Sequence, residues 1–221
     1  ITSNEAFYLP TLPKKVIIVG GGYIGAEFAG IFHGLGVEVT QLYWGPLFLR
    51  GFDDDCRKTL AEEMKKKGVD LRFNADISKI EKMGASLRAT LNGDVNIDAD
   101  QILYATGRVP NTGSLGLENT SVQMKPDGSV IVDDYSKTNV DSIYAIGDCT
   151  NRMQLTPIAI AEGQAVAETL FNNNPMKPNY MNVASVVFSQ PNLGTVGLTE
   201  TEARERYIDI DVYKTTYKPL K

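Results

Sequence analysis

The sequence predicts an α/β fold in which a parallel sheet carries an antiparallel insert. An apolar, β-branched run at residues 15–19 enters a glycine-rich turn, which leads into an amphipathic stretch from Tyr23 to His33. A second predicted strand at 37–43 completes a strand–helix–strand unit. Residues 86–98 alternate apolar and polar side chains around Asn92-Gly93, a pattern typical of a β-hairpin.

The turn between the first strand and the first helix has the pattern G-x-G-x-x-G. Gly20, Gly22 and Gly25 hold the glycine positions, and Ile24 lies between the last two. In nucleotide-binding βαβ units these glycines allow a tight turn, the approach of a pyrophosphate and close helix–strand packing, respectively. A glycine-rich packing turn is the alternative. The flanking strands and helix favour a Rossmann-like dinucleotide-binding domain.

The elements after this unit extend the sheet. An acidic start at residues 53–55 and a basic end at 65–67, followed by Gly68, predict a helix whose charges complement its dipole. Alternating apolar and charged residues at 69–73 and an apolar segment at 101–105 predict two further strands. The loop after the second of these contains Arg108. Arg108 is therefore expected at the carboxyl end of the strand at 101–105, where open α/β sheets bind their ligands.

The remainder of the chain mixes strand and helix signals. Four apolar runs predict strands, at residues 128–133, 142–147, 185–188 and 194–198. Thr156 is expected to be the N-cap of a helix that has Pro157 at its first position and ends near residue 171. Thr199 followed by Glu202 predicts a short helix with a capping box.

Composition narrows the class of protein. The chain has 221 residues, 43% of them hydrophobic, enough for one or two domains with a substantial core. A net charge of -5 without basic clusters argues against nucleic acid, and no apolar run approaches the roughly 20 residues that span a bilayer. Cys56 and Cys149 match neither a disulfide framework nor a metal site. We expect a cytoplasmic, metal-free protein without a secretory signal.

Several motifs in fixed order carry a resemblance to a known family. They are residues 20–25, 106–112, 145–148, 155–159, 187–191 and 194–200. Together they closely resemble the glutathione-reductase branch of the FAD-dependent pyridine-nucleotide disulfide oxidoreductases. The resemblance implies an enzyme that passes hydride from NADPH through FAD to a small disulfide such as oxidised glutathione.

The same resemblance implies that the chain contains one whole domain and pieces of two others. They are an NAD(P)H-binding domain at 14–132, a partial FAD-binding domain at 1–13 and 133–178, and the start of an α+β interface, or dimerisation, domain at 179–221. The family's redox-active C-x-x-x-x-C is expected before Ile1, and its catalytic His segment after Lys221. We therefore expect a homodimer when intact, and a 221-residue chain that is inactive alone.

Two residues of the first helix correspond to catalytic positions of the family. Tyr23 matches the ring that covers the flavin and swings aside when nicotinamide enters, and Glu27 matches a carboxylate near the nicotinamide amide. Gly107 and Arg108 belong to a matching loop motif and are expected to contribute to cofactor binding. An aromatic packing residue and a dipole-complementing carboxylate are the plainer interpretations of Tyr23 and Glu27.

Three residues of the later motifs are expected to bind FAD. Asp148 matches the carboxylate that accepts a hydrogen bond from the ribityl chain, with a turn-forming role as the alternative. Leu155 and Thr156 match the start of a helix whose positive dipole end stabilises negative charge on the reduced flavin.

The preferred nicotinamide coenzyme depends on the end of the second strand. An NAD enzyme is expected to have an acidic residue there, and an NADP enzyme to have cations. Arg50 matches one of the family's two NADPH-binding arginines, whereas Trp44 replaces the other, and Gly25 stands where many NADP members have Ala. Arg50 and the missing acid favour NADPH without excluding NADH. We expect Trp44 to stack on the adenine and Arg50 to pair with the 2′-phosphate.

Two kinds of alternative remain open. The first is another member of the same flavoprotein family, such as a trypanothione, mercuric or dihydrolipoamide oxidoreductase. The second is a stand-alone nucleotide-binding module without catalysis, which would lack flavin.

Overall fold

The computed structural model describes residues 1–217. The chain divides into two compact units, Ile1–Gly107 with the chain from Ala184 onward, and Arg108–Val183. The assignment of segments to coenzyme, flavin and interface domains stays a prediction. Within residues 1–217, no helix is both long and apolar enough to cross a membrane.

The helices are α1 (Ser3–Ala6), α2 (Tyr23–Gly34), α3 (Asp54–Lys67), α4 (Thr156–Phe171) and α5 (Glu200–Arg206). The strands are β1 (Lys15–Val19), β2 (Glu38–Tyr43), β3 (Asp70–Phe73), β4 (Ile77–Met83), β5 (Ser86–Leu91), β6 (Asn96–Ala99), β7 (Gln101–Tyr104), β8 (Ser185–Val187) and β9 (Leu193–Thr195). Two 3₁₀ turns span Leu117–Asn119 and Gly147–Thr150.

A four-stranded parallel sheet forms the centre of the first unit, in the order β3-β2-β1-β7. Strand β1 lies between β2 and β7, with Ile17 level with Thr40 on one side and Ile102 on the other. The central strand is buried on both faces, which explains its continuous apolar sequence. This sheet confirms the predicted fold class.

Strands β4, β5 and β6 form the antiparallel insert. The predicted hairpin about Asn92-Gly93 is present as β5 and β6. Strand β4, which pairs along β5, was missing from the sequence prediction. Its larger apolar residues, Ile77, Ile80 and Met83, recur every third position, so no period-two signal marks it.

Helix α3 has the ends that its sequence predicts. The Asp53 side chain accepts a hydrogen bond from the Asp55 N–H at the N-cap, and Gly68 adopts a left-handed conformation, with φ 108°, at the C-cap. Leu60, Ala61 and Met64 form its buried face against the sheet core.

The second unit corrects three predictions. Residues 128–133 and 142–147 form no strands; only isolated bridges occur there, Met124 with Val130 and Lys137 with Tyr144. A strand needs a neighbour paired along its length, and apolar content alone does not supply one. The N-cap of α4 is Leu155, one residue before the predicted Thr156, because the Leu155 carbonyl accepts the first helical hydrogen bonds.

The β segment after Ala184 packs within the first unit. Strands β8 and β9 form an antiparallel pair, and Val187 and Leu193 are buried in the same core cluster as Phe28 and Phe32 of α2. Thr199 and Glu202 form the predicted capping box at α5.

Candidate functional site

The glycine-rich turn joins β1 to α2 at the carboxyl edge of the sheet. Gly20 has φ 140°, and a Cβ placed on it would lie 2.2 Å from the Ala105 carbonyl oxygen beyond the end of β7. A Cβ on Gly25 would lie 2.6 Å from the Gly20 carbonyl oxygen. Side chains at both positions would therefore push the helix and the sheet apart.

Gly22 differs from both of these glycines. A Cβ on Gly22 would have no protein atom within 4 Å, so packing does not require glycine there. Gly22 is also the N-cap of α2 and offers no side chain to the free N–H groups of the first turn. The turn therefore presents bare backbone to open space beside the positive end of a helix dipole. This arrangement fits the diphosphate of a dinucleotide.

Gln41 of β2 lies beneath this turn, and the sequence analysis did not single it out. Its Nε2 donates to the Gly20 carbonyl oxygen over 2.9 Å and fixes the bend of the chain. Among the described residues, Gln41 Oε1 is buried without a hydrogen-bond partner, which is unusual in a folded protein. The available signal was a polar residue in an otherwise buried parallel strand.

The loop at residues 44–53, which follows β2, covers one side of the turn. The Leu49 N–H donates to the Gly21 carbonyl oxygen over 2.6 Å. Trp44 is 63% exposed, and its ring centroid lies 5.4 Å from that of Tyr43, whose ring lies against Gly21. Arg50 is exposed and has no ion pair among the described side chains. A large ring and a free cation are thus available on the loop beside the turn.

Two residues of α2 were expected to be catalytic. Tyr23 is the first residue of the helix and is 41% exposed. Glu27, one turn later, accepts a hydrogen bond from the Phe188 N–H over 2.9 Å. Its carboxylate therefore ties α2 to the segment after β8. The ring of Tyr23 is exposed and is available for contacts with a ligand.

The loop after β7 contains a glycine whose backbone has a positive φ. Gly107 has φ 145°, and a Cβ there would meet no protein atom within 4 Å. Gly107 is the last residue of this part of the first unit, and the exposed Arg108 is the first of the second unit.

In the second unit, the 3₁₀ turn holds Asp148 beside a left-handed Gly147, whose φ is 68°. Asp148 is exposed, and no hydrogen bond to its carboxylate occurs among the described residues. The Leu155 N-cap supplies no side-chain hydrogen bond to α4, and Thr156 at its first position is exposed. The second unit therefore presents a free carboxylate and an uncapped helix start, groups that suit a hydroxylated, electron-rich ligand such as FAD.

The buried carboxylate of Glu162 binds the backbone of the 3₁₀ turn that holds Asp148, and the sequence did not indicate this role. Glu162 of α4 is 0% exposed, and its Oε2 accepts from the Gly147 N–H over 2.6 Å. Its Oε1 accepts from the Tyr180 hydroxyl over 2.6 Å and lies 3.1 Å from an Arg152 guanidinium nitrogen. Burial and the hydrogen bond to Glu162 raise the pKa of Tyr180 to about 12.

The candidate residues thus fall into two groups. Those in the first unit are Gly20, Gly22, Tyr23, Ile24, Gly25, Glu27, Trp44, Arg50 and Gly107, and those in the second are Arg108, Asp148, Leu155 and Thr156. The first group combines an open glycine turn, an aromatic ring and a cation. The second combines a carboxylate and a helix start.

Comparison with known proteins identifies the family. The family model described as pyridine nucleotide-disulphide oxidoreductase matches residues 1–163, and the dimerisation domain of the same family matches 183–221. The whole chain aligns with glutathione reductase from Burkholderia cepacia at 45% identity over 49% of that protein. It also aligns with the chloroplastic/mitochondrial enzyme from Pisum sativum at 48% over 40% of that protein.

Trypanothione reductase from Leishmania donovani is similarly close, at 46% identity over the whole chain and 46% of that protein. Among solved structures, the HOCl-induced flavoprotein disulfide reductase RclA from Escherichia coli matches with TM-score 0.88 and 34% identity. That match covers 93% of this chain and 47% of RclA. The chain therefore spans about half the length of these relatives. It belongs to the pyridine nucleotide-disulphide oxidoreductase family, in the glutathione-reductase branch.

Proposed function

We propose that this protein is an NADPH-dependent FAD disulfide reductase, acting as a homodimer on a small disulfide such as oxidised glutathione. The observation that carries the proposal is the open Gly22 at the uncapped start of α2, in a chain 43–48% identical to glutathione reductases. When bound, NADPH supplies a hydride, and FAD relays the electrons to the disulfide.

The first unit binds the coenzyme in this proposal. The free N–H groups at the start of α2 hold the pyrophosphate, and Gly20 and Gly25 keep the turn close to the sheet. Tyr23 excludes water from the nicotinamide pocket until the coenzyme displaces its ring. Glu27, held by the Phe188 N–H, orients the nicotinamide amide.

Selection of NADPH over NADH is assigned to the loop after β2. Arg50, which has no competing ion pair among the described residues, pairs with the 2′-phosphate, and the exposed Trp44 stacks on the adenine. The absence of an acidic residue at the end of β2 removes the usual partner of an NADH ribose hydroxyl. Binding of NADH stays possible at lower affinity.

The second unit contributes to the flavin site. Asp148 accepts a hydrogen bond from the ribityl chain, and the start of α4 at Leu155 and Thr156 presents its positive dipole end to the flavin. Gly107 and Arg108, in the loop after β7, are also assigned to cofactor binding in this proposal. The 221-residue chain alone does not reduce disulfides in this proposal, because Cys56 and Cys149 do not form a C-x-x-x-x-C pair.

Trypanothione reductase activity is the second candidate, since relatives with that name are 44–46% identical to the chain. The two activities differ in the disulfide that is reduced, so assays with each disulfide separate them. A cytoplasmic location remains a prediction.

The full-length protein provides the test. We expect the purified protein to show flavin absorbance, to lose it anaerobically on addition of NADPH, and to regain it on addition of oxidised glutathione. A colourless protein that binds NADPH would favour a nucleotide-binding module instead. Recovery with trypanothione disulfide alone would favour the second candidate.

A further inference from the structure

Arg57 of α3 holds the loop at residues 44–53 in place. Its guanidinium Nε donates to the Phe48 carbonyl oxygen over 2.7 Å, and Nη2 donates to the Leu47 carbonyl oxygen over 2.6 Å. The remaining nitrogen, Nη1, pairs with Asp54 over 2.5 Å. The side chain is only 14% exposed. One planar group thus fixes two successive carbonyls of the loop.

The next residue of the loop is held in an unfavourable conformation. Leu49 has φ 54°, a left-handed conformation that branched side chains rarely adopt. It is 1% exposed, and its N–H is bound by the Gly21 carbonyl. Phe48 beside it is fully buried and packs on Phe73 with ring centroids 5.8 Å apart. Such a conformation persists only where its surroundings enforce it, and Arg57 supplies part of that enforcement.

Arg50 follows Leu49 directly, so its backbone direction depends on these restraints. Arg50 is exposed and has no ion pair among the described residues, whereas the Arg57 guanidinium is already bound by two carbonyls and a carboxylate. Arg50 is therefore the cation that remains for a ligand, and Arg57 is the group that places it.

We propose that Arg57 is a positioning residue for coenzyme selectivity: it fixes the loop so that Arg50 meets the 2′-phosphate of NADPH. This inference rests on the proposed function, because it assumes that NADPH binds at the glycine-rich turn. The role of Arg57 is geometric, so Lys at this position is a poor replacement. An ammonium cannot donate in parallel to the Leu47 and Phe48 carbonyls as a guanidinium does.

The test is calorimetric titration of the 221-residue chain with NADPH and with NADH, in the native form and as Arg57→Lys and Arg57→Met. We expect Arg57→Met to lower the ratio of NADPH to NADH affinity about tenfold, the loss of one charge-assisted bond. Arg57→Lys should lower it by a smaller factor. Lys58→Met is the matched control, because it removes the adjacent exposed charge of α3 and should leave the ratio unchanged.

The ³¹P NMR signal of the 2′-phosphate in NADP⁺ gives a second readout. It should shift on binding to the native chain and shift less with either Arg57 variant. An unchanged affinity ratio in Arg57→Lys overturns the inference, even if Arg57→Met fails to fold. An equal fall in the Lys58→Met control also overturns it, since charge alone would then explain the effect. A native chain that binds neither coenzyme overturns the proposed function instead.

Discussion

The three glycines of the turn after β1 differ in what surrounds each of them. Gly20 and Gly25 face backbone oxygens of the protein itself, at distances that exclude a Cβ, whereas Gly22 faces open space. The motif G-x-G-x-x-G predicts the turn, but it does not distinguish packing from ligand approach. Gly22 is therefore the position of the motif at which the protein leaves room for a bound molecule, beside the free N–H groups at the start of α2.

Gly22→Ala tests that distinction. The free energy of unfolding should change by less than about 1 kcal/mol, because the added methyl group meets no protein atom. Binding of NADPH should weaken by about tenfold or more, because the methyl group stands in the path of the pyrophosphate. Gly34→Ala, whose Cβ also meets nothing within 4 Å at the far end of α2, is the control. Calorimetric titration and chemical denaturation measure both effects, and equal affinity in the two variants would contradict the assignment.

Trp44→Arg tests the selectivity of the loop. A second cation beside Arg50 should add one charge-assisted bond to the 2′-phosphate, worth roughly 1.5–3 kcal/mol. The affinity for NADPH relative to NADH should therefore rise about ten- to a hundredfold. Trp44→Phe keeps an aromatic ring without the charge and should leave the ratio near that of the native chain. An unchanged preference in Trp44→Arg would remove the proposed role of this position.

Glu162→Gln tests the buried carboxylate that binds the Gly147 N–H, next to Asp148. A glutamine has one acceptor oxygen for the Gly147 N–H, Tyr180 and Arg152, so the partly buried guanidinium of Arg152 loses its charged partner. The second unit should lose roughly 3 kcal/mol of stability. Glu168→Gln, nearer the end of the same helix, loses at most one of the exposed hydrogen bonds that Glu168 accepts from the Asn172 and Asn174 side chains, and should cost about 1 kcal/mol or less. Similar denaturation midpoints for the two variants would refute the network.

At the scale of elements, local hydrogen bonds shape the second unit in place of strands. Asp127 accepts hydrogen bonds from the Ser129 N–H and hydroxyl, at 2.9 and 2.7 Å, and from the Asn151 side chain at 2.8 Å. Asn151 follows the 3₁₀ turn that carries Asp148. One exposed carboxylate thus joins the turn at residues 126–129 to the turn of the candidate flavin site.

Acid titration tests this junction. The hydrogen bonds from the Ser129 hydroxyl and N–H, and from Asn151, lower the pKa of Asp127 from 3.8 to about 2. A lowered pKa stabilises the folded state above the unfolded pKa, and this contribution is lost as the pH falls from about 4 to about 2. Asp127→Asn should therefore show a shallower loss of stability over that window than the native chain. Asp209→Asn, an exposed carboxylate without a hydrogen bond in the described residues, should retain the native slope. Parallel slopes in all three proteins would contradict the assignment.

The helices and strands also show which parts of the fold can be predicted from the sequence. Helix α3 and the hairpin of β5 and β6 follow from local signals, namely end charges, Gly68 and the Asn92-Gly93 turn. Strand β4 depends on its pairing with β5, and residues 128–133 and 142–147 lack a partner along their length. Apolar content alone does not show whether a segment pairs with a neighbour along its length, and β4 has no period-two pattern, so these three segments were misjudged.

At the scale of the whole molecule, the candidate coenzyme site lies in the first unit and most residues of the candidate flavin site lie in the second. Family membership and the glycine turn could be predicted from sequence because their motifs are contiguous. The roles of Gln41, Arg57 and Glu162 could not, because each acts on backbone groups from a distant element, across 21, 9–10 and 15 positions, respectively. Supporting residues of this kind become visible only once the fold brings the elements together.

The central claim is that NADPH lies across the start of α2 with its adenosine end at the loop after β2. Trp44, the only tryptophan in the sequence, is exposed on that loop and gives a direct signal. Titration of the 221-residue chain with NADPH should quench Trp44 fluorescence saturably, with energy transfer to the reduced nicotinamide. NADP⁺ should quench it without that transfer. Gly22→Ala should need about tenfold more NADPH, or more, to reach the same quenching. Native emission that does not respond to saturating coenzyme would contradict the claim.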